Sequence, residues 1–312
     1  MSLIAPLRTQ TPPAIQGAAL MVVAGIAFAV VNTLTPILTW QMGLSSTTVI
    51  LWQYGIATLA ALPLLRSLGL GALRTRHLPA HLLRTFVSAL GVQAFVLGFA
   101  QGVPVWQMVA LSMTSPFFVI AGATLFLGET LTARRLLASM AGFAGALMVA
   151  EVGSEGFTAA SLLPAFAAAC WASASLLTKW LSRTEAPESL TVWMLALIMP
   201  NHLLIGLALS LATGAAAGFD LALPRGAALG LILALGLVTA LAQHALSLAY
   251  RVADATFLQP FDDLKLPLNV LLGWIVLGQV PAALFWPGAL LIVAASMQLL
   301  WRDPGRAMPA EA

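Results

Sequence analysis

Apolar residues run along this chain in long blocks, interrupted at short intervals by a few polar residues, prolines or glycines. Read with a window of about 19 residues, ten such blocks emerge, centred near Ala27, Ile56, Leu90, Phe117, Gly142, Ala168, Ala196, Ala234, Leu266 and Leu291. Each is long enough, at about 1.5 Å per residue, to cross a hydrocarbon core of about 30 Å with modest tilt. An open strand could not satisfy its backbone in lipid, so all ten are expected to be helices. The first block, Gln16 to Trp40, is too long for a signal-peptide core and reads as a retained span. The tails, 1–14 and 302–312, are polar or proline-rich and expected to be disordered.

Charge fixes the expected direction. With the N-terminus inside, Arg8, Arg66, Arg74, Arg76, Arg84, Arg134, Arg135, Lys179, Arg183, Arg251, Arg302 and Arg306 collect on the cytoplasmic side and only Arg225 falls outside. An even number of helices returns the C-terminus to the cytoplasm. Composition agrees with the membrane reading: the 312 residues are 60% hydrophobic and 8% charged, and mean hydropathy is +0.96. The formal charge of +3 is explained by basic loops, and no basic patch interleaved with aromatics points to nucleic acid. Cys170 is a lone cysteine in an apolar block and reads as a packing residue.

Polar residues inside these blocks are expensive and therefore informative. The stretch from Ala255 to Leu277 holds Asp262, Asp263 and Lys265, at a cost of about 2.5 to 3.5 kcal/mol for each charge at a helix centre. Gln259, Asp262 and Asp263 share a helix face, and Lys265 can reach back to Asp262. Two readings stand: a substrate-binding cluster, in which an Asp takes a cation and Lys265 an anion, or an internal Asp262–Lys265 bridge that locks the helix. Asn32, Gln93, Ser112, Ser115 and Trp171 add uncharged groups at depth as substrate-binding candidates, with interhelical hydrogen bonding as the alternative. Asp263 and His244 are proton-coupling candidates, because both residue types can titrate near neutral pH when their surroundings shift them. Pro36, Pro116, Pro260 and Pro267 interrupt helices and are candidate hinges. Trp106, Trp286 and Trp301, near block ends, read as interfacial belts, and Gly226 with Gly230 as a close-packing pair. His77 and His81 read as part of an interfacial helix and not a metal pair. No metal or cofactor site is expected, and a monomer suffices.

The two halves resemble each other. Phe126-Leu127-Gly128-Glu129 matches Val276-Leu277-Gly278-Gln279 at a spacing of 150 residues, and Phe99-Ala100 matches Ala249-Tyr250 at the same spacing. Leu38-Thr39-Trp40 answers Leu177-Thr178-Lys179-Trp180, and Leu51-Trp52-Gln53 answers Val192-Trp193-Met194. Repeats at 15–152 and 153–301, of five helices each, would enter the membrane in opposite senses, an arrangement that places a transporter's site near the midplane.

The Leu-Gly-Glu and Leu-Gly-Gln helix ends, Gly142-Phe143-Ala144-Gly145, and Pro116 with Pro267 resemble the drug/metabolite transporter superfamily, of the ten-helix EamA type. That resemblance implies an all-α integral membrane fold with ten transmembrane helices as two inverted five-helix repeats. It also implies secondary transport of small polar metabolites across the cytoplasmic (inner) membrane by alternating access. The zwitterion argument at Asp262 and Lys265 favours amino-acid or related export; uptake of a cofactor-like compound, of S-adenosylmethionine or riboflavin type, is the alternative, with a passive channel behind it. Small multidrug-resistance relatives couple protons through a first-helix glutamate, where this chain has Asn32 and no acid. No Gly-x-Ser-x-Gly, His-Glu-x-x-His or phosphate loop suggests an enzyme.

Overall fold

The computed structural model describes residues 13–68, 74–127, 132–153, 157–181, 184–185, 187–213, 223–252, 258, 261 and 264–301. The regular structure among these residues is all helical, without strands. In chain order the helices are α1 (Pro13–Pro36), α2 (Ser46–Leu68), α3 (Leu78–Ala100), α4 (Val105–Ser112), α5 (Ser115–Leu127) and α6 (Ala133–Val149). They continue with α7 (Leu163–Leu181), α8 (Pro187–Thr213), α9 (Ala227–Val252), α10 (Lys265–Leu277) and α11 (Phe285–Trp301). Every centre expected from hydropathy falls within one of them. Five stretches, 15–41, 78–100, 105–126, 159–178 and 227–246, are each long and apolar enough to cross a membrane, and four shorter apolar helices accompany them. The chain is a multi-pass membrane protein. Of the polar tails, all but residues 13 and 14 lie outside the described residues.

Proline explains where the helices change course. Pro36 has no N–H for the Asn32 carbonyl four residues back, and the chain winds on from it as a wider π-helical turn, Ile37–Gln41. Pro116 likewise has no N–H for Ser112; the chain turns at Met113 and Thr114, and α5 starts afresh at Ser115. The expected fourth span is accordingly split between α4 and α5, with Ser112 and Thr114 hydroxyls donating to the Val109 and Leu111 carbonyls at 2.7 and 2.6 Å. Pro267 stands in the first turn of α10, where a proline is tolerated, and Pro260 lies outside the described residues.

Packing follows a recurring scheme. The most extensive pairs are α1 on α9, α3 on α7, and α6 on α11; α2 also packs on α9 and α3 on α8, while α5 lies on α7 and α10 on α1. At the crossing of α6 and α11 the backbones come together at Gly145 and Gly288, where a methyl built on either would sit 2.6 to 2.7 Å from the other's carbonyl oxygen. Gly142 admits the Phe117 ring in the same way. The expected glycine pair is different: Gly226 adopts a left-handed turn before α9, and nothing lies within 4 Å of a methyl on Gly230. Trp106 also departs from the belt reading, being buried edge-to-face against Phe285 at 5.2 Å. Trp286 is exposed, as a belt residue would be.

Candidate functional site

The ends of several helices gather at one side of the bundle. The Trp40 indole N–H donates to the Phe99 carbonyl, Leu163 lies alongside Gly98, and the Gln279 side-chain oxygen accepts from the Val105 N–H at 2.8 Å. This last contact explains the Leu-Gly-Gln motif. Gly278 takes the left-handed conformation (φ 68°) that closes α10, its N–H bonding Trp274 and the Gln279 N–H bonding Gly273, so the glutamine turns toward α4. The first-half copy, at Gly128 and Glu129, lies outside the described residues.

Measured from that side at about 1.5 Å per residue, the polar groups fall at one depth. Asn32 is about 14 Å from Gln41, Gln93 about 11 Å from Ala100, Trp171 about 12 Å from Leu163 and Asn269 about 12 Å from Leu277. Asn32 donates through Nδ2 to Asn269 Oδ1 at 3.0 Å, joining α1 to α10. Gln93 is buried and donates to the Ser46 hydroxyl at 3.2 Å, and its carbonyl oxygen has no partner. Gln53 donates to the Thr239 hydroxyl at 2.9 Å, tying α2 to α9, and leaves its own oxygen unpartnered. Trp171 lies against Gly91, where a methyl would stand 2.8 Å from the indole nitrogen, and against the Phe95 ring at 5.3 Å. The array is thus built of neutral amides, hydroxyls and flat rings.

The structure brings Asn32 to α10 and Trp171 to α3, and it sets Ser112 and Ser115 on either side of the break in the fourth passage. Lys265 opens α10, its Cβ 3.9 Å from a methyl built on Gly25. Gln259, Asp262 and Asp263 lie outside the described residues. His244 is exposed, on the stripe of α9 that also carries exposed Leu233, Leu237 and Leu241, away from the buried face of Ile232, Leu235, Thr239 and Ala242. Asn269, Gln53 and Thr239 were not singled out from sequence. The one available signal was the four-residue step from Lys265 to Asn269, which keeps both on one helix face.

The opposite side carries a cluster of charged groups. His81 is fully buried under Trp193 (5.4 Å between rings), with its Nε2 4.0 Å from Glu185 Oε2. Arg84 is buried as well, donating to the Leu190 carbonyl at 2.6 Å and the Thr178 hydroxyl at 3.3 Å, which clamps α3 to α7 and α8. The Thr75 hydroxyl, donating to Glu185 from the loop before α3, holds that carboxyl below its usual range. The histidine pair expected in an interfacial segment is thus divided: His77 precedes α3, edge-on to Trp180, and His81 is inside. Deeper between α2 and α8, His202 packs on the Tyr54 ring, while Asn201 donates to Thr85. Among the described residues no cluster of three or more His, Cys, Asp or Glu could hold a metal. A cleft of about 390 Å³ beside Leu111, Phe143, Leu147 and Leu162 presents only apolar surface and offers nothing to a polar solute.

Comparisons with known proteins extend this picture. No family model matches the chain. It is 49% identical over 300 residues to a protein named riboflavin transporter from Rhizobium johnstonii, covering 96% of both chains. A second protein of that name, from Brucella anthropi, is 44% identical over 290 residues, 93% of this chain and all of that one. Among solved structures, one crystal structure superposes with a TM-score of 0.56 over 89% of this chain and 97% of its own, at 16% identity, a likeness of fold alone.

Proposed function

The chain belongs to the drug/metabolite-type transporter family of these relatives, and we propose that it carries riboflavin across the membrane, in the direction of uptake, by alternating access. The observation that carries the reading is near-full-length identity of 49% to a riboflavin transporter. That similarity favours the cofactor-like alternative over amino-acid export, which the paired charges had suggested.

The chemistry at mid-depth supports the same choice. Riboflavin has no net charge at neutral pH; its flat isoalloxazine ring has one apolar end and one amide-rich end, and its side chain is a polyol. Neutral amides at Asn32 and Gln93 and aromatic surface at Trp171 and Phe95 suit such a solute better than they suit a zwitterion. Gln259, Asp262 and Lys265, with Ser112 and Ser115 opposite them in the repeat, remain part of the proposed lining.

We read residues 15–152 and 153–301 as inverted repeats. Helices α5 and α10 each have 13 residues and begin 150 apart, and α6 and α11 each have 17. Exchanging the halves turns the α1–α9 pair into α7–α3, and the α5–α7 pair into α10–α1. The distribution of basic residues between the loops supports the reading that both termini lie on the cytoplasmic side of the inner membrane. Rocking of the halves about Pro36, Pro116, Pro260 and Pro267 would alternate access. Asp263 is the better proton-coupling candidate of the pair, since His244 shares its stripe with exposed leucines.

The test is counterflow. Proteoliposomes holding the purified protein and loaded with unlabelled riboflavin should accumulate labelled riboflavin transiently and saturably. Absence of counterflow by a well-folded protein would reject riboflavin as substrate.

A further inference from the structure

Asn32 and Asn269 join the two halves of the chain, and they do so unequally. Asn269 is fully buried with both ends of its amide engaged: its Oδ1 accepts from Asn32, and its Nδ2 donates to the Lys265 carbonyl at 2.6 Å. Fully buried, it is closed to a ligand. Asn32 is half-buried and spends one N–H on Asn269, leaving its second N–H and its Oδ1 without a hydrogen-bond partner among the described residues. A donor and an acceptor therefore stand side by side at mid-depth, held by a socket that cannot itself turn. Side-chain amides in this state pair with a complementary edge through two hydrogen bonds, as Asn and Gln do with adenine. Leaving such groups unpaired in a desolvated site is costly, which makes the pairing selective.

We propose that Asn32 is a specificity-determining residue for the flavin, its Oδ1 accepting the N3–H of the isoalloxazine ring and its free N–H donating to the neighbouring ring carbonyl. Asn269 is the positioning residue that fixes the Asn32 amide for this contact. The inference rests on the riboflavin reading and adds the part of the molecule that is read. The repeat supplies a partner for it. The 139-residue offset that carries Leu38-Thr39 onto Leu177-Thr178 also carries Asn32 onto Trp171. Equivalent positions on α1 and α7 thus offer an amide for the ring edge and an indole for the ring face. Solutes with a flat ring and an imide edge fit this pair, and solutes blocked at that edge do not.

The counterflow assay decides it when labelled riboflavin competes with unlabelled riboflavin, N3-methylriboflavin or lumiflavin, which lacks the ribityl chain. In the wild type, N3-methylation should raise the concentration for half-inhibition by roughly 10- to 100-fold, the range of a lost bidentate amide pairing. In Asn32→Ala, riboflavin and its N3-methyl derivative should compete within about twofold of each other, because the edge is no longer read. Asn269→Ala should lower the discrimination in the same sense. Neither change should alter the riboflavin-to-lumiflavin ratio, which a general loss of packing would not spare. If Asn32→Ala fails to fold, Asn32→Asp, which keeps the acceptor and loses the donor, should retain only part of the discrimination. Equal competition by the N3-methyl compound in the wild type, or full discrimination in the Asn32 variants, overturns the assignment. Wild-type protein that shows no riboflavin counterflow removes both the assignment and the function beneath it, whereas counterflow without N3 discrimination removes the assignment alone.

Discussion

Replacing Gly145 with alanine puts one methyl where α6 and α11 touch. The new Cβ would lie 2.6 Å from the Gly288 carbonyl oxygen, 2.9 Å from Leu291 Cβ and 3.1 Å from Ile292 Cγ1. The first atom belongs to backbone and the second is bonded directly to it, so neither can swing aside. Restoring an ordinary contact requires the helices to part by roughly half an ångström to one ångström, which forfeits a quarter to a half of the attraction along that seam. Overpacking of this kind costs about 1 to 3 kcal/mol. In lipid the loss falls on van der Waals contact itself, because helix association there has little other drive. Gly288→Ala meets the mirror obstacle, the Gly145 carbonyl at 2.7 Å, with Val149 Cγ2 at 2.9 Å. Each variant should lower the apparent melting temperature in detergent. The double variant should fall short of the sum by about 0.5 kcal/mol or more, since the helices separate only once. Gly230→Ala is the control: with nothing within 4 Å of its methyl, it should gain up to about 1 kcal/mol from helix propensity. A neutral Gly145→Ala, or full additivity of the pair, would refute the argument.

Three further outcomes follow from other contacts. Glu185, held below its usual range chiefly by the Thr75 hydroxyl, contributes stability that is present above the unfolded carboxylate pKa and lost as pH falls through the lower folded value. Glu185→Gln should therefore flatten the acid side of a melting-temperature profile and leave its alkaline side unchanged. Gln279→Ala removes the acceptor on the Val105 N–H and should cost about 0.5 to 2 kcal/mol, as loss of a helix cap does, with Gln279→Glu recovering most of it. Single cysteines placed at positions 8 and 225 should react with a membrane-impermeant thiol reagent from opposite sides; labelling of both from one side would rule out ten spans.

Hydropathy makes the succession of helices legible because the cost of burying polar groups in lipid acts on every residue of a span. Proline withholds its N–H and marks the changes of course at Pro36 and Pro116, although α8 runs on through Pro200. Which face of a helix turns inward is another matter. In water the apolar stripe marks the buried side, but lipid is as apolar as a protein core, so α1 and α5 carry no distinct apolar stripe to give a direction. That is why Trp106 could pass for a belt residue and is buried, why Gly230 could pass for a packing glycine and is open, and why His244 could be placed in the pathway and lies among exposed leucines. Asn269 went unnoticed for a related reason. A lone amide in an apolar run acquires meaning only when Asn32, 237 residues earlier, is seen against it.

The hydrogen bond between Gln279 and Val105 has a consequence for how the protein is made. The start of α4 is completed by a side chain 174 residues further along. At about 5 to 20 residues per second, the ribosome needs roughly 9 to 35 seconds to supply it. Through that interval the first half sits in the membrane with an open amide at one helix end and, at Asn32, an amide with no Asn269 to steady it. The two halves are therefore not finished bodies that later dock. The earlier one waits, inserted and incomplete, and becomes itself only when the last two helices arrive.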